Sequence, residues 1–226
     1  MGKDVIIACD FPGMEETMTF LEKLGEERPY LKIGMELFYA EGPGIVKRLK
    51  GRGHRIFLDL KLHDIPNTVG RAMKVLDGLG VDMCNVHASG GVAMMAAAAE
   101  NFSGTLLGVT QLTSTTEEVM QKEILIDRPL KDVVAEYGGN CRRAGLAGVV
   151  CSPLEAPVIH GECGGDFLTV TPGIRFAGDA AADQRRVTTP SVARELGSDY
   201  IVVGRSITAA EDPQAAYIKC RKEFIG

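Results

Sequence analysis

Eight short runs of β-branched and apolar residues recur along this chain, and that recurrence limits its possible folds more than any other feature. They are VIIACD ending at Asp10, YLKIG from Tyr30, RIFLDLK from Arg55, MCNVHA from Met83, LLGVTQL from Leu106, GVVCS from Gly148, FLTVTPG from Phe167 and YIVVGR from Tyr200. Between them lie segments with helical spacing of apolar residues, as from Met14 to Gly25, from Val69 to Gly80 and from Val192 to Gly197. A strand followed by a crossover helix returns the chain to the same edge, so this alternation predicts a parallel sheet. Eight such units, with no G-x-G-x-x-G turn after the first strand, predict an α/β fold closed as a (β/α)8 TIM barrel rather than an open doubly wound sheet. No low-complexity tract or Pro-rich linker divides the chain, so residues 1–226 are expected to form one domain.

Composition excludes several classes of function. A formal net charge of −5 without a basic block argues against nucleic acid, which demands clustered Lys and Arg. Apolar stretches such as Val5 to Ala8 and Ile201 to Val203 fall far below the roughly 20 residues that span a bilayer, so no membrane segment is expected. A β-like segment begins within a few residues of Met1, with no charged segment leading into an apolar signal core, so export is not expected. Cys9, Cys84, Cys141, Cys151, Cys163 and Cys220 lie far apart without a C-x-x-C pair, and read as reduced thiols of a cytoplasmic protein. His54, His63 and His160 lack metal-ligand spacing, so no metal is expected. Met35, Met94, Met95 and the Ala96 to Ala99 run read as helix packing.

In a barrel of this kind the active site is built at the carboxyl ends of the strands. Polar residues collect there: Asp10, Lys32, Asp59, Lys61, His87, Gln111, Thr113, Ser152, Thr171, Gly204 and Arg205. The densest run is DLKLHDIPNT, Asp59 to Thr68. With a side-chain period of two, Asp59 and Lys61 share a face while Leu60 and Leu62 pack into the opposite layer. An acid and an ammonium thus point into one cavity; a structural ion pair capping the strand end is the alternative. Asp64 lies just past the strand and Pro66 suits the first turn of the next helix, which puts Asp64 at the rim. His87 reads as support for the fourth strand end rather than as a proton carrier. Gly204, Arg205 and Ser206 suit a phosphate, since glycine admits close backbone approach and arginine supplies a charged fork. For those residues taken alone, a surface turn with a solvated arginine is the alternative.

The run FLDLKLHDIPNT, with KIGMELFYAEGP after the second strand, VTQLTSTTEE after the fifth, TVTPGIR at the seventh and IVVGRSIT at the eighth, closely resembles bacterial orotidine monophosphate decarboxylases. These blocks span nearly the whole chain in that family's order. The D-x-K-x-x-D core by itself is shared with related barrel enzymes acting on sugar phosphates; its combination with HDIPNT, VTQLTS and TPGIR is far more specific. The resemblance implies cofactor-independent decarboxylation of orotidine 5'-monophosphate (OMP) to uridine 5'-monophosphate (UMP) in pyrimidine synthesis. It implies Lys61 as proton donor, with Asp59 and Asp64 forming alternating charges around it. It further implies Asp10 and Lys32 at the ribose, Thr113 at the base, and Arg175, Gln184, Gly204 and Arg205 at the phosphate. Ile65 and Pro172 join the substrate contacts on the same ground, and Asp64 and Thr68 are implied to reach across a homodimer interface, making each site composite.

Removing CO2 from C6 leaves an electron pair in the ring plane, where the ring carbonyls delocalise it poorly, so electrostatic stabilisation by the protein is required. A lysine ammonium is charged at neutral pH and can finally donate its proton. Repulsion between Asp59 and the substrate carboxylate, roughly 4 kcal/mol at about 4 Å and an effective dielectric of 20, supplies at most about three powers of ten. The larger share falls to the preorganised ammonium and to binding energy drawn from the phosphate. Three rival readings remain at this stage: a magnesium-dependent sugar-phosphate enzyme, a Schiff-base aldolase using Lys61, and a noncatalytic nucleotide binder. Finally, Thr113 to Arg128 is the longest candidate lid, with a rigid surface helix as the other reading because EEVMQKEIL has helical spacing.

Overall fold

A computed structural model describes residues 3–178 and 188–226. The strands are β1 (Asp4–Cys9), β2 (Tyr30–Gly34), β3 (Ile56–Leu62), β4 (Met83–His87), β5 (Thr105–Val109), β6 (Gly148–Val150), β7 (Leu168–Thr171) and β8 (Tyr200–Val203). Each pairs in parallel with its sequence neighbours, and β8 pairs with β1 to close the barrel. All eight expected runs are therefore strands, although β1 stops at Cys9 and leaves Asp10 just beyond it.

Alternation along the strands sorts side chains into two layers. Val5, Ile7 and Cys9 of β1, with Leu31 and Ile33 of β2 and Ile56, Leu58 and Leu60 of β3, face outward into the core beneath the helices. Ile6, Ala8, Tyr30, Phe57, Met83, Leu107, Leu168, Val170, Tyr200 and Val202 fill the interior. Burial of these apolar surfaces on both sides of the sheet drives closure, at roughly 25 cal/mol per Å² removed from water. The amino-terminal mouth is sealed by aromatic packing: the Tyr30 and Tyr200 rings meet edge to face at 6.3 Å, and the Arg55 guanidinium lies over Tyr30 at 4.4 Å. The opposite mouth is left for polar groups.

The helices begin where local chemistry allows. Pro66 opens Pro66–Asp77, three residues ahead of the apolar spacing, because a proline in the first turn loses no hydrogen bond. Thr189 caps Pro190–Glu195 by accepting from the Val192 N–H. Met94 and Met95 are buried as expected, whereas Met35, at the first position of Met35–Glu41, is 46% exposed and does not pack as a core residue. All six cysteines are buried free thiols. Among the described residues no helix is long and apolar enough to cross a membrane.

Candidate active site

A cavity of about 490 Å³ opens at the carboxyl ends of the strands. Asp10, Lys32, Asp59, Lys61, Thr113, Pro172, Arg175, Gly204 and Arg205 all line it, so the structure brings most of the residues singled out in the sequence to one place. Val109, Val150 and Val202 give it an apolar wall, and Ala8 and Phe57 continue that surface from the barrel interior. Gln111, Ser114, Cys151 and Thr208 line it as well.

Four charged groups form a row across one wall. The Lys32 Nζ donates to Asp10 Oδ1 at 2.9 Å and stands 3.6 Å from Asp59 Oδ2, while Lys61 Nζ donates to Asp59 Oδ1 at 2.6 Å. Burial by itself would push the Asp59 carboxyl up. Lys32 and Lys61, with hydrogen bonds from Lys61 and Asn85, outweigh it and hold that carboxyl below its usual range. Burial likewise opposes the charge on Lys32, yet Asp59 and Asp10 hold its ammonium above the ordinary lysine range. Asp59 and Lys32 are thus each held in the charged form by their neighbours, with Lys61 at the end of the row lining the cavity.

Lys61 lies on the face that alternation predicts, but on an irregular backbone. Simple alternation places Asp59 and Lys61 on one face, but the β3–β4 register shifts between Leu58, opposite Cys84, and Leu62, opposite Val86. Within this bulge Lys61 has φ 51°, a left-handed conformation that costs a residue with a side chain about 1–3 kcal/mol. Bulges re-aim side chains next to functional sites. Asn85, on β4, accepts from the Lys61 backbone N–H at 2.8 Å and donates to Asp59 Oδ1 at 2.7 Å. It was not singled out from the sequence; the available signal was a polar residue at an inward position of MCNVH.

Asp64, Ile65 and Thr68 are exposed and lie off the cavity within one chain. Asp64 Oδ1 accepts the Ile65 N–H at 2.6 Å. Gln184 falls outside the described residues. His87 does not line the cavity; its ring lies 5.7 Å from that of His63. Burial, then the neighbouring His63 and Lys61, hold its pKa below the usual histidine range, so it is a neutral imidazole at neutral pH. Ser152 is taken up by a capping box with Glu155, and Thr171 donates to Tyr200 O and Ser198 Oγ, so both are structural. Arg175 is buried, with Nη1 donating to the Ile174 carbonyl at 2.8 Å, and it lines the cavity together with Arg205.

A closed parallel barrel carrying an ordered row of carboxylates and ammoniums at the carboxyl ends of its strands, with Arg175 and Arg205 lining the same cavity, defines a (β/α)8-barrel enzyme. Comparison with known proteins gives the family. The chain belongs to the orotidine 5'-phosphate decarboxylase / HUMPS family, whose sequence profile matches residues 3–220. It is 53% identical over 235 residues to orotidine 5'-phosphate decarboxylase of Bacillus cytotoxicus, covering 100% of this chain and 99% of that relative. The crystal structure of orotidine 5'-phosphate decarboxylase from Lactobacillus acidophilus matches with TM-score 0.89 and 41% identity, covering 99% of this chain and 100% of that one. An uncharacterized conserved protein from Geobacillus kaustophilus matches with TM-score 0.87 and 46% identity, over 97% of this chain and 99% of that one.

Proposed function

We propose that this chain decarboxylates OMP to UMP and CO2 in de novo pyrimidine synthesis, in the cytoplasm and as a homodimer without a cofactor, with Lys61 as the proton donor. The observation that carries the reading is the Lys61 ammonium held 2.6 Å from Asp59 on the wall of a nucleotide-sized cavity whose other walls present Arg175 and Arg205. The C6–carboxyl bond breaks with its electron pair left on C6, CO2 departs, and Lys61 Nζ–H delivers a proton to C6. The lysine then recovers its proton from solvent. Asp59 lies where the substrate carboxylate would be repelled, and that repulsion ends as CO2 leaves. The Lys61 Nζ is engaged by the Asp59 carboxylate at 2.6 Å, whereas a Schiff base needs a free amine nucleophile, which disfavours the aldolase reading. Following the fall in absorbance as OMP is consumed, together with UMP formed, tests the activity; binding of UMP with no consumption of OMP would refute it.

Asp10 and Lys32 serve the ribose, Thr113 and Pro172 the base side, and Arg175, Gln184, Gly204 and Arg205 the phosphate. For Gly204, a Cβ would meet only Ala8 Cβ at 3.7 Å, an ordinary contact, so packing within the chain does not require glycine there. Close approach of a phosphate to the backbone does. Replacing Arg205 with alanine is expected to raise KM and lower kcat/KM about 10- to 100-fold, the scale of a lost charged hydrogen bond, with a smaller effect on kcat. Steady-state kinetics check this; an unchanged kcat/KM for OMP would reject the phosphate role.

The segment from Thr113 to Arg128 closes over bound nucleotide. Its start is at the site, since Leu112, Thr113 and Ser114 line the cavity, and Ile124 and Leu125 expose apolar side chains. Between them, Glu117–Lys122 is a helix capped by Thr116 and anchored by the buried Met120. Hydrogen exchange is expected to slow across 113–128 when UMP binds. Equal protection with and without UMP would leave a rigid surface helix instead.

A further inference from the structure

Asn85 is fully buried in the middle of β4 and faces the barrel interior between Met83 and His87. Both ends of its amide are used at the catalytic row: Oδ1 accepts the backbone N–H of Lys61 at 2.8 Å, and Nδ2 donates to Asp59 Oδ1 at 2.7 Å. The amide orientation is fixed by its partners, because an N–H requires the oxygen and a carboxylate requires the NH2 group. The same Asp59 Oδ1 accepts from Lys61 Nζ at 2.6 Å, so one carboxylate oxygen is held between the amide and the ammonium. The contacts lie at the β3–β4 register shift, where Lys61 adopts its left-handed backbone conformation and the regular ladder is interrupted. A side chain on β4 thus meets an N–H that the strand ladder does not.

From this geometry we infer that Asn85 is a positioning residue for the decarboxylation: it locks the backbone of Lys61 and the carboxylate of Asp59 together, so the ammonium is held at C6 rather than released with the bulge. The inference rests on the proposed activity and on Lys61 as donor. Any polar side chain could satisfy one of these groups. The planar amide presents its acceptor and its donor on two separate atoms, so one side chain spans both groups on a strand whose conformation is itself strained.

The test replaces Asn85 with leucine, similar in size but making neither bond, and compares it with Val86→Ala, a buried neighbour facing the outer layer. Asn85→Leu is expected to lower kcat about a hundredfold, the scale of an ångström of misplacement, while KM and the UMP dissociation constant stay within roughly threefold. Amide exchange at Lys61 should also accelerate, a readout that does not depend on activity. Val86→Ala should lower the melting temperature and leave kcat near that of the unsubstituted protein. If leucine at 85 prevents folding, Asn85→Ser, too short to span both partners, is read in the same way. A folded variant at position 85 with unchanged kcat, or with kcat and UMP affinity falling in parallel, overturns the positioning role. Failure of the unsubstituted protein to consume OMP overturns instead the activity on which the inference stands, and the Lys61 exchange measurement separates the two.

Discussion

Replacing Lys61 with alanine is expected to lower kcat for OMP by about 10⁴-fold or more, because the variant loses both the proposed proton donor and the charge proposed to stabilise the developing carbanion. Binding of UMP should survive, since the residues proposed for the phosphate and ribose lie on other strands and loops. The fold should survive too. Asp59 keeps the Asn85 amide on Oδ1 at 2.7 Å and Lys32 at 3.6 Å from Oδ2, so loss of the lysine does not strand an unpaired buried carboxylate. The left-handed conformation at position 61 costs alanine about as much as lysine, so strain should not distort the comparison. Rapid-mixing or long-time assays of product, with calorimetry of UMP binding, check both halves. A variant retaining kcat within about tenfold of the unsubstituted protein would remove Lys61 from the donor role.

A second large effect is expected from mixing two inactive variants. Asp64 is exposed, lies off the cavity of its own chain and is bonded to the Ile65 N–H, so its proposed place in the site requires a second copy of the chain. Ile65 is 66% exposed just past β3, and Met35 is exposed just past the adjoining β2, an apolar rim suited to burial in such a dimer. Lys61→Ala and Asp64→Ala should each be nearly inactive. In equal mixture after subunit exchange, half the dimers are hybrids, and each hybrid holds one site with both substitutions and one with neither. Activity should therefore rise to about a quarter of that of the unsubstituted protein. No gain on mixing, with exchange verified by mass-labelled subunits, would place Asp64 outside a shared site.

Much of the architecture was legible in the sequence because burial on both faces of a parallel sheet writes itself as apolar runs. YLKIG matched β2 from end to end, and most of the polar residues at the strand ends converged on one cavity, His87, Ser152 and Thr171 excepted. Helix starts were partly legible: Pro66 was read as a first-turn proline and does open Pro66–Asp77, although the apolar spacing by itself began only at Val69. Inference failed most where the backbone departs from regularity. Period two put Asp59 and Lys61 on one face with Leu60 and Leu62 on the other, and the structure agrees, but the bulge between Leu58 and Leu62 and the φ of Lys61 were not foreseen. Nothing in the spacing of DLKLHD announces that bulge. Asn85 went unnoticed for the same cause, because its value depends on a neighbouring strand being out of register. Asp64 was expected at the rim, and within one chain it is exposed and does not line the cavity.

The measurement bearing most directly on the central claim is turnover of carboxyl-labelled OMP in deuterium oxide by exhaustively chelated protein. The expected result is one labelled CO2 and one UMP for each OMP consumed, with deuterium at C6 and no loss of rate on chelation. Turnover that disappears with chelation and returns with magnesium would instead indicate a metal-dependent enzyme, and UMP binding without any release of CO2 would contradict the decarboxylase outright.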